Sequence, residues 1–348
     1  MFVYDVAHLP YEDTALDLRV ADDLPASVAE QRRRWRRAVV QPLALCSQIQ
    51  RSGGTLLGRL FDGHPACFAY PTELGWGKPH PWPRFELPSA SDALFEVIAE
   101  RWPRKFAVGG YHKYSNWTYE HRPEEVDRYP FLFHEPLQRQ IFADVIAASA
   151  ATRRDVLNAY LTSVFNGWLD YQNLYRGEKR WVTAFQPRLI QRRGGADAFF
   201  GDYPDGLLLT LIREPGSWLS SYSRHTNLDP ASALRRWRES VQSSIDAHAA
   251  RPSHVVVLLF EDLVLRTEAV MRLIAARMGI EFDRVLLDPS YNGMRVLSDS
   301  SHVLTERVDP EVTTRYRATL SAEDAALVER DAAPLYASVR QQFGLPTD

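Results

Sequence analysis

The stretch Leu43-Ala-Leu-Cys-Ser-Gln-Ile-Gln-Arg51-Ser52-Gly53-Gly54-Thr55-Leu-Leu decides the fold class of this chain. Residues 43–49 are mostly apolar, as in a short strand buried in a parallel sheet. Gly53 and Gly54 then permit a tight turn, because glycine adopts backbone angles that other residues resist. Thr55 begins a segment whose leucines recur at helical spacing. The pattern therefore predicts a strand, a glycine turn and a helix.

A turn of this kind favours an anion. Its free N–H groups converge at the positive end of the helix dipole. Arg51 adds a fixed positive charge and Ser52 adds a hydroxyl donor, which predicts a phosphate or sulfate site. The ATP-binding loop would read G-x-x-x-x-G-K-[ST]. Here the first glycine is missing and no lysine precedes Thr55.

A different template fits better. The residues Arg51-Ser-Gly-Gly-Thr-Leu-Leu, followed by Asp62-Gly-His-Pro65, resemble the 5′-phosphosulfate loop of sulfotransferases that use 3′-phosphoadenosine 5′-phosphosulfate (PAPS). That family commonly reads P-[KR]-S-G-T-T-L-L, often followed by D-x-H-P. This chain departs at Gln50 and Gly54. The resemblance implies that the donor is bound by the loop residues Arg51, Ser52, Gly53, Gly54, Thr55 and Leu56.

A second motif follows a run of apolar residues at 207–212. It reads Arg213-Glu-Pro215-Gly-Ser-Trp-Leu-Ser-Ser221, and Pro215 suits the first turn of a helix. A guanidinium at the end of a strand can form a forked pair with a phosphate, and a serine two turns into the helix can reach the same group. Sulfotransferases read R-[DE]-P-R-D…S here. The resemblance implies that Arg213 and Ser221 bind the 3′-phosphate of PAPS.

A third patch, near 255–282, also resembles the family, so the resemblance spans about residues 40–320. It implies an α/β fold of the P-loop NTPase-like type, with a central parallel sheet flanked by helices and ligands at the carboxyl ends of the strands. We expect a single domain over residues 1–348, with residues 1–38 packed on it as a lead-in. Residues 155–175 and 321–343 are each predicted to form a packing helix.

Three residues are candidates for catalysis. Glu73 lies in the proline-rich and glycine-rich segment after the loop, nearly where related sulfotransferases carry a glutamate proposed as the base. His112 follows a predicted short strand, where the family often has a lysine or histidine; a structural role for His112 is equally open. Arginine keeps its proton, so Arg51 is expected to stabilise charge electrostatically.

Composition narrows the classes of partner. The 348 residues carry a net charge of −3, which gives no basic field for nucleic acid. The chain has two cysteines, Cys46 and Cys67, without CxxC spacing, and a reducing compartment is expected. No signal peptide is visible, and no apolar stretch approaches the ~20 residues of a membrane span. The sequence has no metal-ligand spacing such as HExxH, so no metal ion is expected. The expected location is the cytoplasm.

The function hypothesis is transfer of a sulfuryl group from PAPS to a hydroxyl, with an amine as the second choice of acceptor. The acceptor is expected to be a small molecule, a glycoside or a lipid-linked metabolite. Two alternatives stay open at this stage: a P-loop kinase acting on a small molecule, and a non-catalytic module that binds a sulfated or phosphorylated ligand. The choice between Glu73 and His112, the oligomeric state and the role of the arginine-rich residues 32–37 also stay open.

Overall fold

A computed structural model describes residues 24–76, 80–99, 131–149, 151–224, 226–295, 298–300, 303–305 and 308–346. Its centre is a five-stranded sheet in which every neighbouring pair of strands is parallel. The strands are β1 (Leu43–Cys46), β2 (Cys67–Glu73), β3 (Trp181–Phe185), β4 (Leu207–Ile212) and β5 (Val255–Leu259). Their order is β2-β3-β1-β4-β5, so the strand before the glycine turn is the central one.

Helices flank this sheet, as the sequence predicted. In the amino-terminal half they are α1 (Ala26–Arg34), α2 (Gly54–Arg59), α3 (Ser91–Ile98), α4 (Glu135–Ser149), α5 (Arg153–Gly167) and α6 (Gly195–Asp202). In the carboxyl-terminal half they are α7 (Pro215–Ser223), α8 (Pro230–Ala250), α9 (Phe260–Leu265), α10 (Thr267–Met278), α11 (Ala322–Asp331) and α12 (Ala333–Phe343).

Shorter elements connect α10 to α11. Three of them are 3₁₀ helices, at Arg284–Leu287, Pro310–Thr313 and Arg315–Ala318. Two are antiparallel pairs: β6 (Ser290–Tyr291) with β7 (Met294–Arg295), and β8 (Ser298–Ser300) with β9 (Val303–Thr305).

The alternation of side chains along β1 explains why both faces of the sheet are covered. Leu43 and Leu45 point into one apolar cluster, which α5 covers. Ala44 and Cys46 point into another, which α2 and α10 cover. Successive side chains of a strand point to opposite faces, so an all-apolar strand needs helices on both sides. This is why a continuous apolar run predicted a parallel sheet.

Two predicted helices differ from those observed. The segment predicted at 155–175 begins at Arg153, where Thr152 and Asp155 form a capping box, and it ends at Gly167. The final helix, predicted as one unit over 321–343, is divided at Ala332 into α11 and α12. Pro334 lies at the start of α12 and has no N–H to continue the hydrogen-bond ladder of α11, so the chain begins a new helix there.

Among the described residues, no helix combines the length and the apolar character needed to cross a membrane.

Candidate active site

The loop between β1 and α2 has a backbone that only certain residues tolerate. Gly53 has a φ of +94° and Arg51 has a φ of +69°, both in the left-handed region. A Cβ atom at Gly53 would overlap the ring of Phe260, the first residue of α9. Gly53 is therefore required both by its backbone angle and by close packing. We refer to residues 51–55 as the anion loop.

Gly54 is required for a different reason. It is the first residue of α2, and a Cβ atom there would overlap the amide of Gln48 and the ring of Phe185. The Gln48 side chain thus fills the space that a side chain of residue 54 would occupy. The next two residues of α2 differ from Gly54: Thr55 is exposed, and the side chain of Leu56 packs in the apolar cluster of Phe260. Leu56 can therefore offer a ligand only its backbone N–H.

Arg213 connects the anion loop to the end of β4. Its Nε donates a hydrogen bond to Oγ of Ser217 at 2.8 Å, and its Nη1 donates to the backbone oxygen of Arg51 at 3.0 Å. The guanidinium lies 4.6 Å from the ring centre of Phe260. Burial lowers the pKa of Arg213 to about 10, so the group keeps its proton at neutral pH. The sequence-predicted arginine is therefore a buried, oriented cation beside the loop.

The helix after Arg213 presents hydroxyl groups to the same place. Pro215 is at its first turn, and the Glu214 carboxylate accepts hydrogen bonds from the N–H groups of Gly216 and Ser217. Glu214 therefore caps α7. Farther along α7, Ser221 accepts a hydrogen bond from Nε of Arg51 at 3.0 Å. The two predicted anion-binding motifs thus meet in space, although 162 residues separate Arg51 from Arg213.

A small pocket lies between α7 and the carboxyl-terminal 3₁₀ helices. It is lined by Arg213, Ser217, Ser220, Ser221, Arg224, Val312, Arg315 and Tyr316. Three guanidiniums and three serine hydroxyls can all donate hydrogen bonds, and that composition suits a phosphate. Arg315 is itself held by Asp309 at 3.0 Å, so Arg213 and Arg224 provide most of the positive charge.

Sequence analysis had identified only two residues of this pocket, Arg213 and Ser221. Arg224 could have been found, because it follows Ser221 by three positions and residues three apart lie on the same face of a helix. Arg315 and Tyr316 follow α7 by about ninety residues, and nothing in their local sequence connects them to it. Only the tertiary structure brings them to the pocket.

Glu261 secures the segment that carries Arg213. Its Oε1 accepts a hydrogen bond from the N–H of Glu214 at 3.1 Å, and its Oε2 accepts one from the hydroxyl of Tyr336 at 2.6 Å. Burial raises the pKa of this carboxyl, while the charge of Arg213 acts in the opposite direction. Glu261 therefore supports the pocket from behind and does not line it.

Of the two candidate bases, the structure describes Glu73. It is the last residue of β2 and pairs with Phe185 of β3, after a shift in register that follows Ala69. The ring of Phe185 in turn lies against Gly54 of the anion loop. The structure therefore brings Glu73 to the edge of the sheet at which the anion loop lies. His112 lies outside the described residues.

The chain resembles known proteins in sequence and in fold. Residues 49–284 match the model of the sulfotransferase family. The sulfotransferase domain of the Synechococcus PCC 7002 olefin synthase has the same fold, with a TM-score of 0.52 and 19% identity over 84% of this chain and 95% of that domain. A sulfotransferase from Mycobacterium avium gives a TM-score of 0.41 at 16% identity, over 89% of this chain and 78% of its own length. No curated protein matches the chain.

Proposed function

Because this chain belongs to the sulfotransferase family, we propose that it transfers a sulfuryl group from PAPS to a hydroxyl group, with an amine as the second choice of acceptor. The observation that carries the proposal is the pair of hydrogen bonds from Arg213 to Arg51 and from Arg51 to Ser221, each 3.0 Å long. They join the loop after β1 to the pocket lined by Arg213 and Ser221, which supports a pair of adjoining anion sites. PAPS has a 3′-phosphate and a 5′-phosphosulfate on one ribose, so its recognition requires two adjoining anion sites.

Each half of the donor then has its own partners. Arg213, Ser221 and Arg224 are assigned to the 3′-phosphate, because they line the same pocket. The backbone N–H groups of Gly53, Gly54, Thr55 and Leu56, with the side chains of Arg51 and Ser52, are assigned to the 5′-phosphosulfate. Ser52 supports this role because its hydroxyl is buried and lacks a hydrogen-bond partner within the described part of the chain.

Arg51 is proposed to stabilise the charge that develops on the leaving phosphate as the sulfuryl group departs. Guanidinium groups keep their proton at neutral pH, so Arg51 acts as a fixed charge and not as a proton donor. Its hydrogen bond to Ser221 restrains the side chain before the donor arrives. Fixed donors of this kind contribute most where charge builds up in the transition state.

Glu73 is proposed as the base that removes the proton of the attacking hydroxyl, and His112 is the alternative. The position of Glu73 at the carboxyl end of β2, paired with Phe185, favours it. A positioned base typically contributes about 10²–10⁴-fold to the rate. The acceptor is proposed to be a small molecule, a glycoside or a lipid-linked metabolite that enters beside Glu73.

Calorimetric titration with 3′-phosphoadenosine 5′-phosphate (PAP), the desulfated donor, tests the proposal. AMP and ATP with Mg²⁺ serve as comparison ligands, and Arg213→Ala serves as the variant. We expect tight binding of PAP that requires its 3′-phosphate and weakens strongly in the variant. Equal binding of PAP and AMP would contradict the assignment of the pocket.

The same titration separates the alternatives. Preference for ATP with Mg²⁺ would favour a kinase, but the space where a loop lysine would project from residue 54 is filled here by Gln48. Tight PAP binding without sulfuryl transfer to any of a panel of hydroxyl and amine acceptors would favour a non-catalytic binding module.

A further inference from the structure

We propose that the side-chain amide of Gln48 is a further donor-binding group, which donates a hydrogen bond from Nε2 to an oxygen of the 5′-phosphosulfate in the anion loop. This inference rests on the proposed function and deepens it. Sequence analysis did not select Gln48, because glutamine at this position belongs to neither template of the loop.

The side-chain amide of Gln48 lies beside the anion loop. Gln48 lies between the end of β1 and the anion loop, and its backbone oxygen accepts a hydrogen bond from the N–H of Arg188 at 3.0 Å. That bond fixes the backbone at residue 48. The side chain extends to α2, where its amide overlaps the site of a Cβ atom on Gly54. The amide therefore lies directly against the anion loop.

The side-chain amide of Gln48 is buried and lacks a hydrogen-bond partner within the described part of the chain. The Gln48 residue is 1% exposed, and neither Nε2 nor Oε1 has a hydrogen-bond partner within the described part of the chain. Buried side-chain polar atoms nearly always have a partner, and a buried amide without one destabilises the fold. An apolar residue of similar size would fill the space without that penalty. The amide is therefore explained by a group that arrives with the ligand.

The chemistry of the ligand selects which atom is used. A phosphosulfate offers only acceptor oxygens, so it pairs with the NH₂ of an amide and not with its oxygen. Rotation about the last side-chain bond can present that NH₂ to the loop. Ser52 is also buried without a partner for its hydroxyl, so two unpartnered donors border the same loop. Gly54 leaves room for the amide, since a side chain there would overlap it.

The experiment compares two nucleotides on wild-type protein and on two variants. Gln48→Met keeps the length and volume of the side chain but removes the donor, and Gln48→Glu keeps the shape but places an acceptor against the anion. Gln41→Met is the matched control, because Gln41 precedes β1 at the opposite end of the strand. Titration with PAP measures the whole site. Titration with adenosine 3′-phosphate, which has no 5′-phosphate, measures the 3′-phosphate pocket alone.

We expect the affinity of Gln48→Met for PAP to fall about tenfold, since a hydrogen bond to a charged group is lost. The affinity of Gln48→Glu should fall further. Adenosine 3′-phosphate should bind all proteins equally. Unchanged PAP affinity in both variants, or an equal loss for the two nucleotides, would overturn the role of Gln48 while leaving the proposed function intact. Failure of the wild-type protein to bind PAP would overturn both.

Discussion

The guanidinium of Arg213 donates a hydrogen bond from Nη1 to the backbone oxygen of Arg51, at 3.0 Å. This bond joins the end of β4 to the anion loop after β1, and Nε of Arg213 is used at the same time by Ser217. Two of the three nitrogens of the guanidinium thus donate hydrogen bonds to other groups of the protein. These two bonds hold the group in a fixed orientation at the edge of the pocket that it lines.

Arg213→Lys tests whether this geometry matters beyond charge. A lysine keeps the charge but has a single nitrogen, which cannot contact Ser217, the Arg51 oxygen and a phosphate together. We expect PAP affinity in calorimetry to fall by about tenfold or more. Arg238→Lys, on the exposed face of α8, is the matched control. Wild-type affinity in Arg213→Lys would show that the pocket needs only a positive charge.

Gly53→Ala tests the shape of the anion loop. Alanine at a φ of +94° is strained, and its Cβ would overlap the ring of Phe260. We expect a loss of about 1–3 kcal/mol in the free energy of unfolding, measured by urea denaturation, together with weaker PAP binding. Gly201→Ala is the control, because Gly201 lies in α6 with no atom within 4 Å of the added Cβ.

That control should behave in the opposite way. Alanine is favoured over glycine inside a helix by about 0.5–1 kcal/mol, so Gly201→Ala should unfold at higher urea concentration and bind PAP normally. If both alanine variants lose stability equally, the left-handed backbone angle and the Phe260 ring do not explain why position 53 requires glycine.

Glu73→Gln tests the assignment of the base. The amide cannot accept the proton of the acceptor, so kcat should fall about 10²–10⁴-fold while PAP affinity is unchanged. The assay follows transfer of labelled sulfate from PAPS to an acceptor. Glu86→Gln is the control, since Glu86 is exposed in the segment after β2. A fully active Glu73→Gln variant together with an inactive His112→Ala variant would move the role of base to His112.

Asp170 should make the protein less stable as the pH rises, whereas a carboxylate held by an ion pair has the opposite effect. Its Oδ1 accepts a hydrogen bond from the N–H of Leu132 at 2.9 Å, and burial raises the pKa of the carboxyl to about 6. The unfolded value is about 3.9. Between these two values the folded state holds a proton that the unfolded state releases, so the contribution of Asp170 to stability is lost as the pH rises.

Urea denaturation of Asp170→Asn between pH 4 and pH 7 measures this effect. The stability of the wild-type protein relative to the variant should decrease by up to about 3 kcal/mol across that range. Asp144→Asn is the matched control, because Arg33 holds the pKa of Asp144 below its usual value. There the relative stability of the wild-type protein should stay nearly constant over this range and should fall only as the pH drops below about 4. A flat difference for Asp170→Asn would show that this carboxyl titrates normally.

Much of the candidate site could be predicted from local sequence. The apolar residues 43–46 and 207–212 predicted parallel strands, and Arg213 follows the second of them directly. Gly53 could be assigned to a tight turn, because few other residues adopt a left-handed backbone angle. These predictions succeeded because each depends on neighbours along the chain: side-chain alternation, a turn, or a residue at the end of a strand.

The features that the sequence missed depend on distant contacts. The break at Ala332 was overlooked because the apolar spacing continues through it, although Pro334 provides a local reason. Arg315 reaches the pocket only through the path of the chain after α10. The unpartnered amide of Gln48 becomes visible only when α2 is folded over it.

The sequence by itself determined the strand–turn–helix unit, the parallel sheet and the two motifs predicted to bind anions, because these follow from backbone preferences and from the periodicity of apolar residues. The tertiary structure alone decided that the motifs adjoin. The order β2-β3-β1-β4-β5 makes β1 and β4 neighbours, so the loop after one strand and the arginine after the other meet at one edge of the sheet. That juxtaposition depends on strand order, which no local pattern encodes.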